Sequence, residues 1–223
     1  MIYNHEHPIY IRARERCRNY KWNGAYYYSK EICDRIIPNI KTDRNWITLN
    51  FRTPECGCDH AIVFVHNHRN CPKIYKWLRT FDDLVFVCSE RADMPKLEQF
   101  GKRFNKDWKS ILLPLSVDVE YVKQFRKQKT KDVAFCGREQ RQEGNTFPDG
   151  TDFICNMPRE QFLSRMAEYR KIYAVDRVAI EGLILGCEIL PYDKKHPDAS
   201  KWRVIDNLEA SVILQQKLDE IDH

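Results

Sequence analysis

Three places in the sequence set charged or titratable side chains where a folded chain must account for them. The first is Glu181. The stretch V-A-I-E-G-L-I-L-G, from Val178 to Gly186, is apolar almost all the way round. At about 100° per residue, Glu181 falls between Ile184 and Leu185 rather than on a solvated face. A carboxylate there needs a partner. It reads either as a paired structural glutamate or as an acceptor for ribose hydroxyls, with the helix start at Arg177 and Val178 facing a phosphate and Asp176 as its N-cap.

The second place is C-G-R-E, Cys136 to Glu139, directly after an apolar run. Gly137 lets a ligand approach the backbone, Arg138 carries a planar, permanently charged fork that suits a diphosphate, and Arg141 adds a second guanidinium. The plain alternative is a surface arginine. The third place is V-F-V-H-N-H-R-N, Val63 to Asn70, where His66 and His68 follow a buried run. Either imidazole suits the orientation of a reacting group, and either serves equally as a hydrogen-bonded loop residue.

Two further clusters carry less. C-G-C-D-H (Cys56 to His60), with His66, His68 and Cys71, offers soft ligands. C-x-C spacing, however, rarely brings both thiolates onto one tetrahedral ion, so no metal site is expected. W-N-G-A-Y-Y-Y (Trp22 to Tyr28), with Tyr20, is a glycine-led aromatic cluster: a stacking surface, or core filling around a helix start.

These residues need elements to hold them. Apolar runs at Ala61–Val65, Leu84–Cys88, Ile111–Pro114, Val133–Cys136, Phe153–Cys155, Lys171–Val175 and Glu188–Pro191 read as strands, with another at Trp46–Phe51. Their near-continuous hydrophobicity predicts parallel sheets covered on both faces. Helix-period segments alternate with them: Ser29–Ile37, one led by Pro72, one with Pro158 at its first position and Phe162, Leu163, Met166 and Tyr169 on one stripe, one from Asp176 to a stop at Gly186, and a last one at Val204–Ile221. This alternation is the pattern of βαβ units.

The expected fold is therefore α/β, with two Rossmann-like lobes and parallel sheets. The charged stretch F-R-K-Q-K-T-K-D, Phe125 to Asp132, is the sharpest break in composition and is expected to be the hinge. Residues 1–125 then form the first lobe, 126–203 the second, and 204–223 a C-terminal helix.

A net charge of +5, from 37 basic and 32 acidic residues, suits phosphate-bearing ligands but falls short of a dense nucleic-acid stripe. The absence of a long apolar run or a signal-like start predicts a soluble, cytoplasmic chain without a membrane span. Nine cysteines at irregular spacing are expected to be reduced thiols.

V-A-F-C-G-R-E, then P-R-E-Q-F-L-S-R-M, then Y-A-V-D-R-V-A-I-E-G-L-I-L-G-C-E-I-L-P-Y resembles the C-terminal lobe of retaining, GT-B-type (group 1-like) glycosyltransferases. D-D-L-V-F-V-C-S-E (Asp82–Glu90) and I-L-L-P-L-S-V-D (Ile111–Asp118) are similar to segments of that family's first lobe. In the family, the G-R pair contacts the donor diphosphate and a helical glutamate binds the donor ribose; Gly137, Arg138 and Glu181 stand at those places, with Gly186 at the helix end. The resemblance also points to a histidine near His66 or His68 as catalytic.

It implies transfer of a sugar from a nucleotide-diphosphate sugar to an acceptor, without a metal or other cofactor. The acceptor is open: a glycan, lipid, protein or modified nucleic acid. Where the family often has a first glutamate, this chain has Tyr173. The alternative readings are a non-catalytic nucleotide- or glycan-binding module and, from the basic balance of charge, a glycosyltransferase that modifies nucleic acid.

Overall fold

The structure is a computed structural model and describes residues 30–48, 60–65, 79, 81–139, 142, 144–192 and 202–223. In chain order, a helical turn at Ile32–Ile36 runs into Ile37–Asn39 and is followed by β1 (Asn45–Thr48), β2 (His60–Val65), β3 (Asp83–Cys88), α1 (Met94–Lys102) and β4 (Lys109–Leu112). Then come α2 (Val119–Lys123), β5 (Lys131–Cys136), β6 (Asp152–Ile154), α3 (Arg159–Met166), β7 (Tyr169–Tyr173), α4 (Asp176–Ile184), β8 (Glu188–Leu190) and α5 (Asn207–Asp222). The Pro72 segment lies outside the described residues.

Contacts separate the chain into two units. The first takes the described residues up to Pro114 together with Leu208–His223, and the second is Leu115–Asn207. The division thus follows Pro114, and the charged stretch Phe125 to Asp132 lies within the second unit. There Arg126 Nε donates to the Ile184 carbonyl at 2.6 Å, and Lys127 and Lys131 reach Glu168 at 3.4 and 3.2 Å. Its residues are mostly exposed and lead into β5. The C-terminal helix, for its part, groups with the first unit.

In the first unit the strands run parallel in the order β1-β2-β3-β4. Every residue of β2 after His60 and of β3 after Asp83 is buried, as expected for a sheet covered on both faces. Trp108 fills the core beside Phe86, Phe100 and Phe104. Gly101 makes room for it, since a Cβ there would lie 3.0 Å from the Trp108 ring. Ala210, Leu214 and Leu218 of α5 recur every four residues and are buried. The Arg44 guanidinium ties Asp83 at the start of β3 to Asp222 at the end of α5.

The second unit is also a parallel sheet, in the order β6-β5-β7-β8. Alternation assigns its two faces. Ala134, Cys136, Ile154, Ile172 and Ile189 share one face and form a single core with Val122 of α2, Leu163 and Met166 of α3 and Ile180 and Ile184 of α4. Phe135, Phe153 and Tyr173, in register with one another, share the other face. Phe153 there is 47% exposed. The expectation of sheets buried on both faces therefore holds for the central strands of the first unit, whereas in the second unit Phe135 of β5 is buried on this face and Phe153 of β6 is not; among the described residues no α-helix joins β5 to β6.

Candidate functional site

Strand order decides where a ligand can sit on an open parallel sheet. Leaving β5, the chain goes to β6 on one side and then returns to β7 on the other, so the order reverses between β5 and β7. Open α/β sheets bind ligands outside the carboxyl ends of strands at such a reversal. The described strands of the first unit follow sequence order and offer no reversal.

At the carboxyl end of β5, the Gly137 N–H continues the ladder to the Ile154 carbonyl at 3.2 Å. A Cβ at Gly137 would meet the Phe135 ring at 3.1 Å, so glycine lets that ring lie directly beneath the turn. Arg138 follows and is exposed. Glu139 accepts from Asn156 Nδ2 at 2.8 Å, which joins the exits of β5 and β6; Asn156 itself has φ +50.

At the carboxyl end of β7, Val175 has the extended backbone of a helix cap and offers no side-chain cap. Asp176, expected to be the N-cap, is instead the first residue of α4, at φ +56. That left-handed conformation is tolerated by Asp better than by most residues and gathers at functional sites. Pro158 likewise caps α3 rather than opening it, its ψ of 145° being extended.

Glu181 is a paired interior carboxylate. It is 1% exposed; its Oε1 accepts from Arg177 Nε at 2.7 Å, one turn back, and lies 2.8 Å from Arg159 Nη2 at the start of α3. Burial acts against the carboxylate's charge, but the Arg159 and Arg177 guanidiniums outweigh it and hold the group below its ordinary range. Arg159 also lies over the Tyr121 ring of α2, 5.8 Å from its centroid. One carboxylate thus pins the amino ends of α3 and α4 together beneath the sheet's carboxyl edge.

This alters the part each expected residue can play. Arg177 turns inward to Glu181, so what α4 offers at its amino end is backbone amides, beside a half-buried Val178. Arg138 and Gly137 stand at the strand-order reversal with Asp176. Arg141, His66 and His68 lie outside the described residues, as does the Cys56–Asp59 part of the soft-ligand cluster. Among the described residues, no group of three His, Cys, Asp or Glu side chains is placed to hold a metal ion. The five described cysteines form no disulfide with one another, and no described helix is long and apolar enough to cross a membrane.

No family model, curated protein or solved structure matches this chain.

Several residues of the site carry little signal in the sequence. Arg159 stands at an ordinary helix start, and only the tertiary fold brings it to Glu181. Gly182 hides beside Glu181: a Cβ there would collide with Ile172 Cδ1 and lie 2.9 Å from Ile189 Cδ1, so α4 seats on the sheet only over a glycine. The aromatic face is a third case. Phe147, from the β5–β6 connection, packs against Phe135, Phe153, Tyr173 and Tyr192 at centroid distances of 5.1 to 5.8 Å. Apolar runs in the sequence mark Phe135, Phe153 and Tyr173 as strand residues but give no hint of the fourth and fifth rings.

Proposed function

We propose that the second unit binds the nucleoside diphosphate of a sugar donor at the carboxyl ends of β5 and β7, and that the chain transfers the sugar to an acceptor. The observation that carries this reading is the reversal of strand order at those ends, with Gly137 and Arg138 leaving one strand and the amino end of α4 following the other. In this scheme the bond between the sugar's anomeric carbon and the diphosphate oxygen breaks. The acceptor oxygen forms the new bond and releases its proton, and the departing diphosphate gains negative charge beside Arg138 and the α4 amides. Glu181 contributes indirectly, by fixing α3 and α4, rather than by holding the ribose. Charge supplied by side chains and amides makes the reaction independent of metal, so transfer persists in EDTA.

Titration calorimetry with UDP and GDP on wild type and Arg138→Ala, alongside a donor-turnover assay, tests the reading. Binding is expected to weaken about tenfold or more without Arg138, since charge-assisted hydrogen bonds contribute about 1.5–3 kcal/mol. Equal affinity in both proteins would overturn it.

A second reading, a nucleotide-binding module without transfer, is favoured by Tyr173. Where the resembled family often has a carboxylate, this side chain packs its ring 5.2 Å from Phe147. Nucleotide binding with no turnover of any donor would select it.

A further inference from the structure

We infer that the aromatic face of the second unit is a receptacle for a nucleobase ring, held shut by Phe147 on a glycine-hinged tongue. This rests on the nucleotide reading above and adds the part of the ligand that reading leaves unplaced. Four rings surround Phe147: Phe135 of β5, Phe153 of β6, Tyr173 of β7 and Tyr192 just after β8. Three of them stand in register on one sheet face, and inclinations of 51° to 86° to Phe147 make a walled slot rather than a flat stack. The present occupant is itself a planar ring, so the slot has the shape and chemistry to take one.

The slot also adjoins the phosphate turn. The Phe135 ring that forms its wall lies 3.1 Å from where a Gly137 side chain would begin. A ring in the slot and a diphosphate at Gly137–Arg138 are therefore neighbours.

The occupant is built to leave. Phe147 lies in the connection from β5 to β6, where no α-helix occurs among the described residues, and long irregular connections in compact units are commonly lids or binding loops. The tongue is bracketed by two glycines in the left-handed region, Gly144 at φ +75 and Gly150 at φ +83, each with open space where a side chain would be. Each sits third in a tight turn, closed by Asn145 N–H to the Gln142 carbonyl and by Thr151 N–H to the Pro148 carbonyl. Between the turns, Phe147 is the single apolar side chain directed at the sheet, and Phe153, the outermost wall, is half exposed. Rotation at the two glycines lifts one ring out and lets another in.

Titration calorimetry with UDP, GDP, ADP and inorganic pyrophosphate on the full chain tests this. Phe147→Ala empties the slot and is expected to tighten at least one nucleotide about fivefold or more while leaving pyrophosphate unchanged, because a competing occupant lowers apparent affinity by the closed fraction. Phe153→Ala added to Phe147→Ala removes a wall of the already emptied slot, so the contact between these two rings no longer enters. Relative to Phe147→Ala, the double variant should weaken that same nucleotide and again spare pyrophosphate. Unchanged or weaker nucleotide binding by Phe147→Ala, or a double variant that binds the nucleotide as tightly as Phe147→Ala, overturns the slot while leaving the diphosphate site standing. If neither nucleotide nor pyrophosphate binds any of the three proteins, the nucleotide reading itself fails, and the slot with it.

Discussion

At the scale of single residues, Glu181 shows how one buried charge is made tolerable. Its two guanidinium partners are themselves nearly buried, so removing the carboxylate takes a buried counter-charge from both. Glu181→Ala is expected to cost about 3–5 kcal/mol in urea unfolding at neutral pH. The pH dependence follows from the lowered pKa: the pair's contribution is complete above the ordinary value of 4.5 and is lost as pH falls through the folded value. Stability curves for wild type and Glu181→Gln should therefore lie far apart at pH 7 and converge toward acid; parallel curves would refute the pairing. A need for a partner was legible at Glu181, because an acid amid Ile and Leu has nowhere to be solvated. That Arg159 would join Arg177, one turn back, was not legible, since Arg159 is distant in sequence.

Gly182 makes the complementary case, a residue whose value lies in what it lacks. Gly182→Ala is expected to destabilise by about 1–3 kcal/mol through overpacking against Ile172 and Ile189. Ile172→Val, which removes the colliding Cδ1, should recover much of that loss in the double mutant, a coupling readable by thermal unfolding.

At the scale of elements, α4 carries stop chemistry that the sequence announces and start chemistry that it does not. Gly186, at φ +80, donates to the Leu183 carbonyl at 3.0 Å and Cys187 donates to that of Gly182 at 2.8 Å, which is the paired bonding of a Schellman stop. Gly186→Ala should cost about 1–2 kcal/mol, measured by chemical denaturation. At the other end Asp176 looked like a cap by type alone, but the chain turns one residue earlier, at Val175, to leave β7. Strands were found where continuous apolar runs had placed them, shifted by a residue or two, because runs mark burial whereas ladders mark hydrogen bonding. The short helical turn Ile32–Ile36 also lies within the segment Ser29–Ile37 expected to be helical.

At the scale of the molecule, each unit has its own sheet and core, and α5 supplies part of the first. Leu214 and Leu218 are fully buried there, each worth about 1.5–3 kcal/mol, and Gln215 joins Lys41 through both its carbonyl and its amide. Truncation after Asn207 is expected to unfold the first unit and leave the second protected, a difference that hydrogen exchange would resolve unit by unit. Equal protection in both units would show that α5 is dispensable.

The amino-acid sequence by itself determined the α/β class, the parallel strands and the place of Gly137 and Arg138 after one of them. These follow from hydrophobic period and turn chemistry, which act over a few neighbouring residues. Only the tertiary structure decided the strand order that makes that turn a reversal point, the burial of Glu181 between Arg159 and Arg177, and the closing of four rings around Phe147. Each of these needs residues that are far apart along the chain, as Arg159 is from Glu181, and their meeting depends on register and crossover, which local pattern leaves free.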